Sequence, residues 1–404
     1  MARRGVLLRD DGGEDAPRGG RAHPGRRAGA RAVRPAGLRR RRLKPRRWSV
    51  PRASPSPLLL PGLVGLLVLG ACSRPVAPAS SGVLGAHADA DSPRVVGAAL
   101  VRDGDSREAL LRRHPRVEPD AALKATLAAI LADSGQRLRW SAAPVEDLAC
   151  DNGDVRFRIQ VRVPPACQER GCPVLAFYTT GCPRPAYHWR PEFFLRAGFI
   201  YAEPAVRGTR CSEDWARADN GPLRVEAATD LEAASRCLRQ RFTRDGGVPK
   251  LGIFGWSYGG NQTLVGMTRF AGSYDAGFAL AAKTDLASFL AQLPPELRGS
   301  RAEEYGDPEK DAERLRVISP MTWVDRVEAP IALMLGARDP KVSLSDADVF
   351  VRALRARGQD ASLMIIPEHA HLTERPEEIA FEHAHLLQFF TARFGVPLRV
   401  DTRP

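Results

Sequence analysis

The sequence predicts an α/β fold: a mostly parallel sheet with helices on both faces, preceded by a short helical lead-in. Three features carry that expectation. From Asp151 onward, strand-like runs alternate with amphipathic helical segments. Several runs are apolar at every position, as strands covered on both faces must be. One of them, "KLGIFGWSYGG", passes straight into a helical pattern through a glycine-rich turn.

In chain order, residues 106–149 read as a helical lead-in. In "DAALKATLAAILADSG", Leu123, Leu127, Ile130 and Leu131 share one stripe and Gly135 is a stop signal. "DVRFRIQVRVP" alternates with period two, and "PVLAFYTTG" is an apolar run ending in turn residues. "FFLRAGFIYAEPAVRG" reads as a helix end and then a strand, and "AATDLEAASRCLRQRF" as a helix. "APIALMLGARD" is a buried strand. "SLSDADVFVRALRARG" is an amphipathic helix with Ser345 as its expected N-cap and Gly358 past its end. "ASLMIIPEHAH" is a strand and "EEIAFEHAHLLQFFTARFG" a closing helix, so one α/β domain is expected over 150–396, with 397–404 as a tail.

The N-terminal part has a different composition. Residues 1–57 are rich in Arg, Gly and Pro without apolar periodicity, so they are expected to be disordered, or to lie upstream of the true start. Residues 58–72, "LLLPGLVGLLVLGAC", are too short to span a bilayer but suit a signal-peptide apolar region behind a basic segment. Leu69-Gly70-Ala71-Cys72 is similar to the bacterial lipobox, which implies lipidation at Cys72 and a flexible tether over 73–105.

The net charge of +13 has little bearing on the folded part. Residues 1–52 hold 17 of the 60 Lys and Arg but 4 of the 47 Asp and Glu, which leaves 43 of each sign on the other 352 residues. That balance gives no footprint for nucleic acid. Six cysteines remain besides Cys72: Cys150, Cys167, Cys172, Cys182, Cys211 and Cys237. An even set in an exported chain favours disulfides. Cys167–Cys172 is the first expected pair, Cys182–Cys211 the second, and the full connectivity stays open. No C-x-x-C pair occurs and no His stands near the cysteines at ligand spacing, so zinc on the cysteines is not expected, and without a phosphate loop or dinucleotide fingerprint no cofactor is expected.

The chemistry centres on Gly255-Trp256-Ser257-Tyr258-Gly259. Between a strand and a helix, G-x-S-x-G acts as a nucleophile elbow: the turn lifts the serine hydroxyl above the sheet and aims the Tyr258 amide toward a developing oxyanion. A serine needs a base, and the base needs an orienting carboxylate. Asp339 follows one predicted strand and His371 follows another, both at the strand ends where open α/β sheets build sites. His369 competes as base. His369 with His371 on a strand is an alternative metal pair, as is His383 with His385. The second pair falls on a predicted helix, where i,i+2 side chains point apart and solvated histidines are the plainer reading.

"GIFGWSYGGNQTL", "YGDPEKDAERLRVISPMTWVDRVEAPIALMLGARDPKV" and "IIPEHAHLTERPEE" resemble the catalytic domain of the prolyl oligopeptidase family of serine peptidases, and its dipeptidyl-peptidase branch in particular. Ser319-Pro320 and "VRGTR" at Val206–Arg210 fit the same pattern. The resemblance implies an α/β-hydrolase fold with Ser257 as nucleophile, Asp339 as orienter and His371, four residues after Pro367, as base. It also implies Tyr178 as second oxyanion donor, with packing in the core as the other reading of that residue.

Some positions depart from the family. About 80 residues separate Cys72 from Asp151, too few for the family's β-propeller and its amine-holding glutamates. Lys341 stands where the dipeptidyl branch has a substrate-contacting asparagine. Phe289 lines a small apolar specificity pocket or packs in the core. The expectation is therefore an exported, lipid-anchored serine hydrolase of the bacterial cell envelope, a peptidase on short peptides. A carboxylesterase or deacetylase with the same triad is the alternative, and a non-catalytic envelope lipoprotein the third. Its expected partners are a small peptide or ester and, through Cys72, the membrane. No nucleic acid is expected, and the oligomeric state stays open.

Overall fold

The structure, a computed structural model, describes residues 106–133, 144–168, 171–183, 189–293, 295–371 and 373–401. The readings on residues 1–105, Cys72 among them, and on Gly135 lie outside the described residues. Eight strands form one sheet: β1 (Val145–Asn152), β2 (Val155–Arg162), β3 (Val174–Tyr178), β4 (Ile200–Pro204), β5 (Leu251–Trp256), β6 (Ala276–Leu280), β7 (Ile331–Gly336) and β8 (Ala361–Ile366). Their order is β1-β2-β4-β3-β5-β6-β7-β8. β2 is antiparallel to β1 and β4, and all other pairings are parallel. This is the expected α/β-hydrolase architecture.

Each face of the sheet has its own core, because successive side chains of a strand point to opposite sides. On one face Val174, Ala176 and Ile253 pack with Leu231, Leu264, Phe350 and Leu354, from the helices Thr229–Phe242, Tyr258–Thr268 and Leu344–Ala356. On the other, Leu175, Phe177 and Phe254 pack with Phe194, Phe381 and Phe390, from Trp189–Arg196 and the closing helix Pro376–Phe394. The chain leaves β3 toward β4 on one side and returns to β5 on the other. The crevice at the carboxyl ends of β3 and β5 is thus a topological switch point, where such sheets bind ligands.

The lead-in is helical at its start, as expected, and differs from the expectation at its end. Its helices, Arg107–Arg113 and Ala121–Asp133, pack into the domain: Leu110 joins the first core, and Leu123, Leu127 and Ile130 the second. Its final residues from Val145 form β1, not helix, because a two-residue turn at Gly153 (φ +61°) folds them back on β2. β6 is short and built of Ala, Gly, Phe and Leu, so it gave no β-branched signal. A Cβ at its Gly277 would stand 2.5 Å from the Met267 side chain, which would have to shift to admit it. The helix Leu344–Ala356 is capped by Ser343 rather than Ser345, since the Ser343 hydroxyl reaches the Asp346 amide at 3.2 Å. Residues 397–401 lie back on the domain, where the Arg196 guanidinium donates to the Asp401 carbonyl at 2.7 Å.

Among the described residues three disulfides form: Cys150–Cys237, Cys167–Cys172 and Cys182–Cys211. The first fastens β1 to the helix Thr229–Phe242. The third joins the loops after β3 and β4 at the edge where the site lies. Among the described residues no helix is long and apolar enough to cross a membrane.

Candidate active site

β5 ends at Trp256 and the helix Tyr258–Thr268 begins two residues on, so Ser257 alone must reverse the chain. It does so at φ +53°, ψ −109°, a conformation that costs a non-glycine residue of order 1–3 kcal/mol. The neighbouring glycines make room. A Cβ at Gly259 would stand 1.8 Å from the Tyr178 carbonyl oxygen, and one at Gly260 2.5 Å from that of Leu280. The turn is pinned by Ser257 N–H to Leu280 C=O and Asn261 N–H to Ser257 C=O, both 2.9 Å.

His371 follows β8 and Asp339 follows β7. His371 Nε2 lies 2.8 Å from Ser257 Oγ, and its Nδ1 lies 2.8 Å from Asp339 Oδ2. The Asp339 side chain is wholly buried, and its second oxygen accepts the Lys341 amide at 2.7 Å. Gly336, at the end of β7, lets the histidine loop cross the strand, since a Cβ there would stand 2.3 Å from the His369 carbonyl. With Nδ1–H donated to the carboxylate, Nε2 offers its lone pair to the serine hydroxyl. That geometry allows general-base activation of an alcohol.

His369 is buried elsewhere, against Glu378. Glu368, His369 and Glu378 bring three potential ligand atoms within 4.8 Å of one another. Arg116 bonds Glu368 and Arg375 bonds Glu378 at 2.6 Å, so the grouping is an ion-pair network with its charge already balanced. Of the helical pair, His383 Nδ1 meets the Ile379 carbonyl and His385 Nε2 the Val117 carbonyl.

The expected role of the Tyr178 side chain is corrected. Its phenol is buried in the first core, 2.7 Å from the Tyr274 hydroxyl, which in turn donates to the Leu231 carbonyl. Burial pushes this phenol far above its ordinary range. The reason is register: alternation along β3 sends Val174, Ala176 and Tyr178 to one face, away from the strand end. The backbone that follows stays at the site, since a Gly259 Cβ would lie 3.1 Å from the Thr179 nitrogen.

The Tyr258 side chain is likewise structural. Its hydroxyl donates to Asp219 at 2.8 Å, and Arg224 pairs with the same carboxylate at 3.0 Å. Within the "VRGTR" stretch, Arg207 makes a fork to both oxygens of Asp230 at 2.9 and 3.0 Å, which fixes the loop after β4. Ser319 ties the helix Leu286–Gln292 in place by accepting the Leu286 amide.

Phe289 and Lys341 both line a recess of about 180 Å³ beside Asp339. Its wall is more polar than the expected apolar pocket, with Lys283, Asp285 and Asp346 among the lining. Phe289 also packs edge-on to Tyr305, and the Lys283 ammonium lies 4.6 Å above its ring. Sequence reasoning missed Glu382, which bonds Trp256 and Thr373 under the site. The available signal was an acid on the buried stripe of the closing helix, one turn after Glu378.

The chain is similar to peptidases over this region. Dipeptidyl aminopeptidase BIII of Pseudoxanthomonas mexicana is 28% identical over 193 residues, 46% of this chain and 28% of that protein. An acylamino-acid-releasing enzyme of Arabidopsis thaliana is 29% identical over 83 residues, 19% of this chain and 11% of that one. Among solved structures, oligopeptidase B from Leishmania major superposes with a TM-score of 0.58 at 19% identity, covering 65% of this chain and 38% of that one. Pyrococcus horikoshii acylaminoacyl peptidase gives 0.54 at 20% identity, covering 62% and 41%. The chain thus spans under half the length of each of these proteins. The Prolyl oligopeptidase family matches over residues 185–397, which hold Ser257, Asp339 and His371, and the chain belongs to that family.

Proposed function

We propose that this protein is a serine peptidase that cleaves short peptides through an acyl-enzyme on Ser257. The observation that carries the reading is the unbroken line of 2.8 Å contacts from Ser257 Oγ through His371 to Asp339. Ser257 Oγ attacks the scissile carbonyl carbon as its proton passes to His371 Nε2. The carbonyl oxygen becomes an oxyanion, held by the backbone amides of Tyr258 and of Thr179, with the Tyr258 amide at a helix N-terminus. Collapse expels the amine, which takes the proton from His371. Water then repeats the sequence on the ester and frees Ser257. Asp339 holds the Nδ1–H tautomer and favours the imidazolium that forms.

We also infer that the protein is exported and anchored by a lipid on Cys72. Three disulfides support an oxidising compartment, and the run before Cys72 supports the anchor. Fluorophosphonate labelling of the full-length chain, with turnover of aminoacyl amides beside p-nitrophenyl esters, tests the activity. Labelling that survives Ser257→Ala overturns the triad. Turnover of esters alone replaces the peptidase reading with a carboxylesterase. Mass spectrometry of the native N-terminus tests the anchor, and an unmodified chain that retains residues upstream of Cys72 overturns it.

A further inference from the structure

Glu382 lies almost fully buried on the closing helix. Its Oε2 accepts the Trp256 indole N–H at 3.2 Å and the Thr373 hydroxyl at 2.9 Å. Its Oε1 faces His369 Nδ1 at 3.6 Å. Trp256 immediately precedes Ser257, and His369 and Thr373 stand two residues either side of His371. A single carboxyl group therefore touches the chain just before the serine and on both flanks of the imidazole.

The proton inventory of this cluster is as informative as its contacts. His369 directs Nε2 at Glu378, so as the neutral tautomer it presents a lone pair on Nδ1 to Glu382. Burial holds the imidazole below its ordinary range, which favours that neutral form. Burial pushes the Glu382 carboxyl up to about 7, against the opposing pull of Thr373, Trp256 and Arg190 and with the help of Glu378. A carboxylate at 382 meets the His369 lone pair without bonding it, in keeping with the 3.6 Å gap. A carboxylic acid can donate to it instead. The other charged and titratable groups of the cluster are Arg116, which bonds Glu368 and lies 3.9 Å from Glu378, Arg375 on Glu378, and His383, stacked on Trp256.

We propose that Glu382 is a positioning residue that holds the Ser257 turn and the His371 loop in register, and does so best as the carboxylate, so that proton loss from the Glu382–His369 pair raises the activity of the site. The ionised form makes stronger, charge-assisted bonds to Trp256 and Thr373. The protonated form accepts more weakly and draws its remaining oxygen toward His369, which bears on the flank of His371. This inference rests on the triad reading of Ser257, Asp339 and His371.

The test compares full-length wild type, Glu382→Gln, Glu382→Leu and Thr373→Val. Fluorophosphonate inactivation rates, and kcat and KM for p-nitrophenyl butyrate, are followed from about pH 5.5 to about 8.5, with thermal melts as the check on folding. Glutamine mimics the protonated carboxyl: its carbonyl accepts from Trp256 and Thr373, and its N–H faces His369. In wild type the rate rises with pH, with one step of the rise coming from Glu382. Glu382→Gln lacks that step, equals wild type at the acid end and falls about tenfold below it at the alkaline end, the worth of one charged hydrogen bond. Glu382→Leu loses roughly a hundredfold in kcat at unchanged KM if both bonds are lost. Thr373→Val gives a smaller loss of the same kind and covers the case in which the leucine variant does not fold. A Glu382→Gln profile superimposable on wild type, or a folded Glu382→Leu or Thr373→Val with wild-type kcat, overturns this inference alone. A wild type not labelled at Ser257 overturns the triad reading and this inference with it.

Discussion

Arg338 donates its backbone N–H to the carbonyl of His369 at 2.9 Å, which ties the turn carrying Asp339 to the loop carrying His371. The carboxylate and the imidazole are thus aligned by main chain before their side chains meet. Asp339 also accepts the Lys341 amide through its other oxygen. Asp339→Asn preserves both of these supports and removes the charge. Turnover is expected to fall about 10⁴-fold with little change in melting temperature, as loss of the correct tautomer does in triad enzymes. Turnover kept within tenfold of wild type would show that His371 needs no orienting carboxylate.

The two neighbouring histidines separate by experiment. His371→Ala removes the group 2.8 Å from Ser257 Oγ, and labelling at Ser257 is expected to drop by at least about 10³-fold. His369→Gln keeps a polar group against Glu378 and leaves labelling within about tenfold, its main effect being on stability. The reverse ranking would move the base to position 369.

Tyr178→Phe distinguishes a core residue from an oxyanion donor. Loss of such a donor costs about 10²–10³ in turnover. Because the phenol is committed to Tyr274 in the core, turnover is expected to stay within about threefold, while unfolding free energy falls by about 1 kcal/mol for the lost hydrogen bond. A hundredfold loss of kcat would restore the phenol to the site.

Glu382 makes stability depend on pH in a definite direction. Its ordinary value is 4.5, and burial raises it to about 7 in the folded chain. The native state therefore holds this proton more tightly than the unfolded one. Its contribution to stability is fully present below 4.5 and is lost as pH rises to about 7. Melting temperatures of wild type and Glu382→Gln are expected to diverge over that window, with the variant gaining relative to wild type toward neutral pH. Parallel curves would place the titration elsewhere.

The disulfides differ in the length of chain they close. Cys150 and Cys237 are 87 residues apart, Cys167 and Cys172 only 5. In the chain-entropy account the long closure contributes roughly 4–5 kcal/mol and the short one roughly 2 kcal/mol. Paired alanine substitutions at 150 and 237 are expected to lower stability more than those at 167 and 172. Equal losses in denaturant unfolding would mean that local strain, not loop entropy, sets their worth.

The amino-acid sequence by itself determined the elements whose local signals are strong. The apolar runs of β3, β5, β7 and β8, the elbow between Gly255 and Gly259, and the order of Ser257, Asp339 and His371 follow from periodicity and from a turn that only glycines permit. Only the tertiary structure decided matters that depend on which groups meet across the chain. β6 is too short and too rich in Ala and Gly to announce itself, and β1 exists because β2 lies beside it. Strand register sends the Tyr178 phenol into a core that its own neighbours in sequence do not reveal. The clamp at Glu382 joins three segments spread over more than a hundred residues, and an acid on the buried stripe of one helix does not reveal which distant groups it meets. Local propensity acts within a few residues, whereas pairing, burial and proton affinity are fixed by neighbours that arrive only when the sheet closes.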